Sequence, residues 1–163
     1  MKPFAVLLAL TCMTQVARPA DSDSVDTVVR AVYEAISGPA GPRDWVRFRL
    51  LFAEGARLIP SRVTAEGPSA TVLTPDDFAK RLGANSEKNA FYESETARRA
   101  EMFGNIAHVF STYESRRAPG EKPFARGINS FQLVKIGSAW KVMTILWDAE
   151  REGNPLPEKY LSH

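Results

Sequence analysis

Cysteine occurs once in these 163 residues, at Cys12, and histidine twice, at His108 and His163. A single thiol rules out an internal disulfide framework, and so sparse a Cys/His set excludes a structural or catalytic zinc site, so no metal and no cofactor is expected. Charge of either sign is never massed. The longest like-charge pairs among the basic residues are Arg98-Arg99 and Arg116-Arg117, and the formal net charge is +2. Nucleic acid is therefore not an expected partner, nor is a membrane surface once the leader is gone. Repeats and low-complexity tracts are absent, and the leading apolar run, residues 4–10, falls far short of the roughly 20 residues of a membrane span.

What is present begins with an export signature. Lys2 provides a positive start, FAVLLAL at residues 4–10 an apolar centre, and Ala17 and Ala20 small residues near a processing point. Arg18 and Gln15 fall at the −3 positions and blur the cleavage site. Ala9-Leu10-Thr11 before Cys12 is a poor lipidation motif, so simple export to a periplasmic or secreted location is the expectation. Residues 1–20 are read as a signal peptide and residues 21–163 as one domain. Loss of the leader removes Lys2 and Arg18 from 21 basic residues, leaving 19 against 19 acidic ones. The whole-chain pI of 8.8 thus overstates the basic character of the domain.

Helices come first in the chain. Ser22 or Ser24 can cap a helix whose apolar stripe is Val25, Val28, Val29, Val32, Ala35 and Ile36, with Tyr33 at its edge. Ser37-Gly38-Pro39 stops it. Trp45, Phe48, Leu51 and Phe52 mark the buried face of a second helix, expected to end at Gly55. Residues 56–63 read as a short strand, pushed to an edge or broken by Pro60. Residues 64–73 read as a loop or a loose hairpin around Gly67-Pro68. Thr74-Pro75-Asp76-Asp77 then opens a third helix through Phe78 and Leu82, expected to end at Gly83. The densest β-branched and aromatic content lies in two later strands, 124–136 and 139–149, around Gly137-Ser138. Residues 154–157, with two prolines, are expected to lie irregularly and to clamp across the sheet.

Between these halves, residues 91–117 organise the chain. Gly104-Asn105 suits a two-residue hairpin turn, which pairs Phe103 with Ile106, Glu101 with His108 and Arg98 with Ser111. Strict alternation then gives one face Ser94, Thr96, Arg98, Ala100, Met102, Ala107, Val109, Ser111, Tyr113 and Ser115. The other receives Glu95, Ala97, Arg99, Glu101, Phe103, Ile106, His108, Phe110, Thr112 and Glu114. The first face, apolar near the turn and hydroxyl-bearing beyond it, is the expected pocket floor. Three helices followed by long strands make an α+β domain, with a curved antiparallel sheet wrapped in a cone around the N-terminal helices.

The stretches DWVRFRLLFAEGARLIP (44–60), GNIAHVFSTYESR (104–116) and NSFQLVKIGSAWKVMTILWD (129–148) resemble the nuclear-transport-factor-2-like (SnoaL-like) superfamily, over about residues 24–150. The likeness is strongest to small exported bacterial members of unassigned role. It implies the cone-shaped α+β fold. That superfamily holds ketosteroid isomerase, scytalone dehydratase, limonene-epoxide hydrolase and polyketide cyclases, and also binding and assembly domains, so fold alone does not select a reaction. The isomerase-like set requires a helix-1 tyrosine, a carboxylate base and a second acid in one apolar cavity. Tyr33 fits the first by position, whereas Glu95, Glu101 and Glu114 fall on the outer face.

The candidate catalytic residues are His108, Arg98 and Tyr113. His108 is the one histidine before the terminus and faces Glu101. Arg98 with Tyr113, beside Ser111 and Thr96, is placed to hold an oxyanion. Tyr33, Trp45, Phe48, Tyr92, Arg98, Ser111, Tyr113 and Trp147 are the expected pocket lining. Asp148 is a second acid near a strand end, more commonly a surface partner of Arg126 or Arg151. Two functions remain open. One is a domain that binds a small apolar molecule and, if catalytic, performs cofactor-independent lyase, isomerase or hydrolase chemistry. The other is a non-catalytic module with a filled cone, forming a homodimer through Phe103, Ile106, Phe110 and part of 128–147.

Overall fold

A computed structural model of the protein describes residues 21–161. Residues 1–20, where a signal peptide is expected and Cys12 falls, and His163 at the other end, lie outside the described residues. Helix α1 (Val25–Ile36) is capped by Ser24, whose side chain accepts from the Thr27 amide while Thr27 Oγ1 accepts from the Ser24 amide. Its stripe from Val25 to Ile36 is buried, with Val28 and Val29 fully so. At the other end Arg43 donates to the carbonyls of Ile36, Gly38, Pro39 and Gly41, which satisfies the helix exit.

Helix α2 (Trp45–Leu50) is shorter than its apolar spacing predicts. The chain turns extended at Phe52, and β1 (Phe52–Thr64) runs 13 residues through Gly55, where its pairing with the last strand is interrupted. Phe48, Leu51 and Phe52 suit either element locally. Pairing of Phe52 with Val142 decides the matter. Pro60 does not break β1 or push it to an edge. Opposite Trp147 in a parallel ladder it needs no amide of its own, and its carbonyl accepts from the Thr71 amide at 3.2 Å. The edge is instead β2 (Gly67–Ala70), which forms a hairpin with β1 that turns at Ala65-Glu66, one step before the Gly67-Pro68 pair around which a loop or loose hairpin is expected.

Helix α3 (Pro75–Ser86) has the expected Thr74 cap and first-turn proline, but it passes through Gly83. A Cβ there would lie 3.2 Å from the Trp45 indole nitrogen, so the glycine serves helix contact rather than termination. The remaining strands are β3 (Tyr92–Phe103), β4 (Ile106–Arg116), β5 (Ala125–Ile136) and β6 (Ala139–Ala149). They complete a six-stranded curved, unclosed sheet in the order β2-β1-β6-β5-β4-β3. Because β1 runs parallel to β6, the sheet is mixed, not purely antiparallel.

One core joins the helical stripe to one face of the sheet. Phe48, Phe131, Val109 and Val142 are fully buried in it together with Val28 and Val29. On the opposite face the C-terminal segment does clamp back. Thr112 Oγ1 donates to the Tyr160 carbonyl at 2.6 Å, and the Tyr160 ring lies 5.3 Å from that of Phe110. Phe110, expected in a dimer face, is therefore already covered by the chain's own tail.

Candidate functional site

The β3–β4 hairpin turns at Gly104, whose φ of +56° lies in the left-handed region that glycine tolerates. From there the pairing follows the expected register, Phe103 with Ile106 through Arg98 with Ser111 and on to Ala97 with Thr112. Then it slips. Thr96 bulges out of β3, so Glu95 pairs with Tyr113 and Glu93 with Ser115. One extra residue inverts every side chain beyond it. Glu95, expected on the outer face, joins the inner one, and Glu93 arrives there with it.

The start of β3 is fixed against the exit of α1. Gly38 and Phe91 exchange backbone hydrogen bonds at 2.7 and 3.0 Å. Ser37 Oγ accepts from the Glu93 amide at 2.9 Å and donates to its carbonyl at 3.0 Å. These bonds hold Glu93 at one wall of a pocket of about 150 Å³. The rest of the wall is mainly apolar, with Val32, Ile36, Phe48, Leu58, Phe131 and Trp147 prominent, and its polar members are Tyr33, Glu93, Tyr113 and Asn129.

The polar groups form a directed chain. Ser115 Oγ donates to Glu93 Oε2 at 2.8 Å, and Asn129 Nδ2 donates to Glu93 Oε1 at 3.3 Å and to the Tyr33 hydroxyl at 3.0 Å. Ser111 Oγ donates to Glu95 Oε1 at 2.5 Å, so the 2.6 Å contact between Tyr33 and Ser111 must carry the tyrosine proton toward the serine. Arg98 ends the chain, bound to Glu95 and to Asp26 of α1. Tyr33 thus spends its donor inside the protein. The Tyr113 hydroxyl also faces the pocket but has no hydrogen-bond partner among the described residues.

Burial pushes the Glu93 carboxyl up to about 7, outweighing the hydrogen bonds from Ser115 and Asn129 that act the other way. Tyr33 and Tyr113 are both raised above the ordinary phenol range, chiefly by burial, with Glu93 adding a like-charge contribution in each case. Near neutral pH the pocket therefore holds two protonated phenols and a carboxyl poised between its two states. Gly127 makes room for this arrangement. It stands opposite Tyr113, and a Cβ there would sit 2.6 Å from the hydroxyl and 2.3 Å from the Asp148 carbonyl.

Of the expected lining, Tyr33, Phe48, Tyr113 and Trp147 meet at the pocket. Ser111 stands one hydrogen bond behind Tyr33. Trp45 packs edge-on against Phe48 and Gly83 instead. Tyr92 neighbours inward-facing Glu93 and so turns away. Arg98 lies outside the pocket, in an open charged cleft between α1 and β3 that Tyr33 and Glu93 also line. His108 is on the outer face, 3.2 Å from Ser130 Oγ and edge-on to Phe110, so it cannot act on a molecule in this pocket. Asp148 pairs with Arg151. Missed from the sequence were Glu93 and Asn129. Asn129 pairs with Trp147 in the β5–β6 ladder, which was a signal of inward placement, whereas nothing local marked the slip that exposes Glu93 to the pocket. Among the described residues no group of three potential metal ligands gathers, and no helix is long and apolar enough to cross a membrane.

No family model matches the chain, and no curated protein matches it by sequence. Solved structures do match by shape. A protein of unknown function from Mycobacterium tuberculosis is similar at TM-score 0.62 and 13% identity, over 78% of this chain and 70% of that one. A Streptomyces avermitilis protein of the NTF2-like family, a dehydratase by name only, is similar at TM-score 0.59 and 12% identity, over 80% and 96%. A Novosphingobium aromaticivorans protein, by name only a scytalone dehydratase, is similar at TM-score 0.56 and 13% identity, over 78% and 82%. Identities this low speak for architecture and not for chemistry. The helices, the six-stranded curved sheet and these neighbours together show that the chain has the nuclear-transport-factor-2-like fold.

Proposed function

We propose that this is an exported domain whose pocket takes a small, mainly apolar molecule bearing one carbonyl or hydroxyl oxygen, and that Glu93 moves a proton to or from it. The observation that carries this reading is the Glu93 carboxyl, held at about 7 in an otherwise apolar pocket and matched there to acid–base work near neutral pH. Tyr113 supplies the hydrogen bond that oxygen needs, since its donor is uncommitted, and it would strengthen as charge develops on the oxygen. The reaction class is lyase or isomerase chemistry carried by side chains alone. Two structural neighbours bearing dehydratase names support the class without deciding the substrate. A volume of about 150 Å³ suits a molecule of benzene-like size rather than a drug-sized one. The rival module requires a cone filled by side chains, which this open volume does not favour.

Cyclohexanone tests the reading because it fits the size, offers one oxygen and has exchangeable α-protons. In D₂O, followed by proton NMR, the wild-type chain accelerates α-proton exchange and Glu93→Gln abolishes it, while Tyr113→Phe weakens binding of cyclohexanone about tenfold and leaves cyclohexane untouched. Binding without any exchange would reduce the domain to a carrier. No binding of either molecule would remove the pocket's proposed role altogether.

A further inference from the structure

The polar chain that begins in the pocket does not end there. Tyr33 is 5% exposed and Ser111 0%, yet the Glu95 side chain beyond them is 21% exposed. Tyr33 lines both the apolar pocket and the open cleft between α1 and β3, whereas Glu95 lines only the cleft, a space of about 580 Å³. Two buried hydroxyls thus join an enclosed volume to an open one. The contacts are short, 2.6 Å from Tyr33 to Ser111 and 2.5 Å from Ser111 to Glu95.

Every member of this row can pass a proton on. A hydroxyl gives up its own hydrogen as it takes another, so Tyr33 and Ser111 can shift protons in step. The Asn129 amide, which touches both Tyr33 and Glu93, cannot do so, because its hydrogens stay on nitrogen. Glu93 is therefore not on this row. Burial raises Tyr33 above the ordinary phenol range, which disfavours a lasting phenolate and favours movement in step. At the outer end Arg98 Nε donates to both Glu95 oxygens, at 2.9 and 3.0 Å, and is itself paired with Asp26 of α1. Arg98 is a positioning residue: it keeps the carboxylate against Ser111 and leaves it open to the cleft.

We infer that Tyr33, Ser111 and Glu95 form a proton path between the oxygen of a bound ligand and the cleft, with Glu95 as its outer terminus. The path rests on Glu93 being the pocket's acid–base group, and it divides the work between two carboxyls, Glu93 at carbon and Glu95 at oxygen. With cyclohexanone bound, Glu93 takes an α-proton and the C–H electron pair becomes the C=C bond. The carbonyl π pair closes on the Tyr33 proton, Tyr33 takes that of Ser111, and Ser111 takes that of a Glu95 carboxyl charged from cleft water. Glu93 ends protonated and Glu95 ionised. The reverse transfer starts from the ionised Glu95 to which Ser111 donates. Glu93 also lines the cleft, so both carboxyls exchange with water there.

The test follows cyclohexanone α-proton exchange in D₂O by proton NMR, with the full chain and with Tyr33→Phe, Ser111→Ala and Glu95→Gln, singly and in pairs. Glutamine at 95 still accepts from Ser111 but passes no proton. Each single variant should lower the saturated exchange rate at least about tenfold, while the half-saturating cyclohexanone concentration stays within about twofold. Binding holds because Tyr113, not Tyr33, bonds the ketone oxygen before the transfer. Each pair should be no slower than its slower single member, since a path is broken only once. Urea unfolding checks that the variants fold, and any two of the three with their pair suffice. Saturated rates like that of the wild type, losses that multiply in the pairs, or a loss confined to the half-saturating concentration would each overturn the path. Glu93→Gln tells this failure from that of the pocket reading. Exchange lost in Glu93→Gln but untouched by the three path variants removes the path alone. Exchange that survives Glu93→Gln, or is missing from the wild type, removes the acid–base reading and the path with it.

Discussion

Replacing Glu93 by Gln isolates the cost of keeping an ionisable group in the pocket. The folded chain holds this carboxyl at about 7, against 4.5 for an ordinary glutamate, so the native state binds the proton more tightly than the unfolded chain does. Its contribution to stability is therefore neutral below about pH 4.5 and turns increasingly unfavourable as pH rises, levelling off above 7. The full interval corresponds to about 3 kcal/mol, or roughly 6–12 °C in melting temperature for a domain of this size. Glutamine keeps the shape and the Asn129 contact, and the Ser115 hydroxyl can turn to accept from the new amide. Urea unfolding at pH 5 and pH 8 reads the effect as a difference between the two chains. The variant should match the wild type near pH 5 to within about 1 kcal/mol and exceed it by about 3 kcal/mol at pH 8, with an unchanged urea slope. Equal pH dependence in the two chains over this window would refute the assignment of a raised carboxyl, and with it the acid–base role.

Further changes separate the pocket from its surroundings. Gly127→Ala places a methyl group against the Tyr113 hydroxyl and the Asp148 carbonyl and should destabilise the fold by about 1–3 kcal/mol, measured by thermal unfolding, while weakening cyclohexanone binding by displacing Tyr113. Ser111→Ala leaves Tyr33 and Glu95 without their shared partner at a cost of about 1–3 kcal/mol in urea unfolding. His108→Ala, on the far face, should leave α-proton exchange unaltered, and a loss of exchange would mean that the pocket has been misplaced.

The residues disclose much of this architecture and conceal one step. Ser24, Thr74-Pro75 and Gly104-Asn105 act locally, through caps and a turn, and the elements they begin stand where those rules put them. Gly83 and Pro60 mislead because their roles are tertiary. One admits the Trp45 ring, and the other occupies a ladder position where its missing amide does no harm. Tyr33, Phe48, Tyr113 and Trp147 were legible as pocket members because apolar spacing and strand alternation reach that far. Arg98 was right as to face, but Asp26 on α1, distant in sequence, draws it out to the cleft. Glu93 was illegible. Ser94-Glu95-Thr96-Ala97 contains no glycine or other mark of irregularity, and the pairing that ejects Thr96 depends on how α1 seizes the head of β3.

That ejected threonine sets what kind of change can abolish the pocket's acid. Thr96 stands outside the ladder, and the carboxyls aim inward because Glu95 lies opposite Tyr113 and Glu93 opposite Ser115. Deleting it would leave those pairs intact, whereas drawing it into the ladder opposite Tyr113 would roll the first half of β3 over by one position, sending Glu93 and Glu95 to water and bringing Tyr92 and Ser94 in. A change of register, with no residue gained or lost, therefore separates a greasy carrier from a proton-handling vessel.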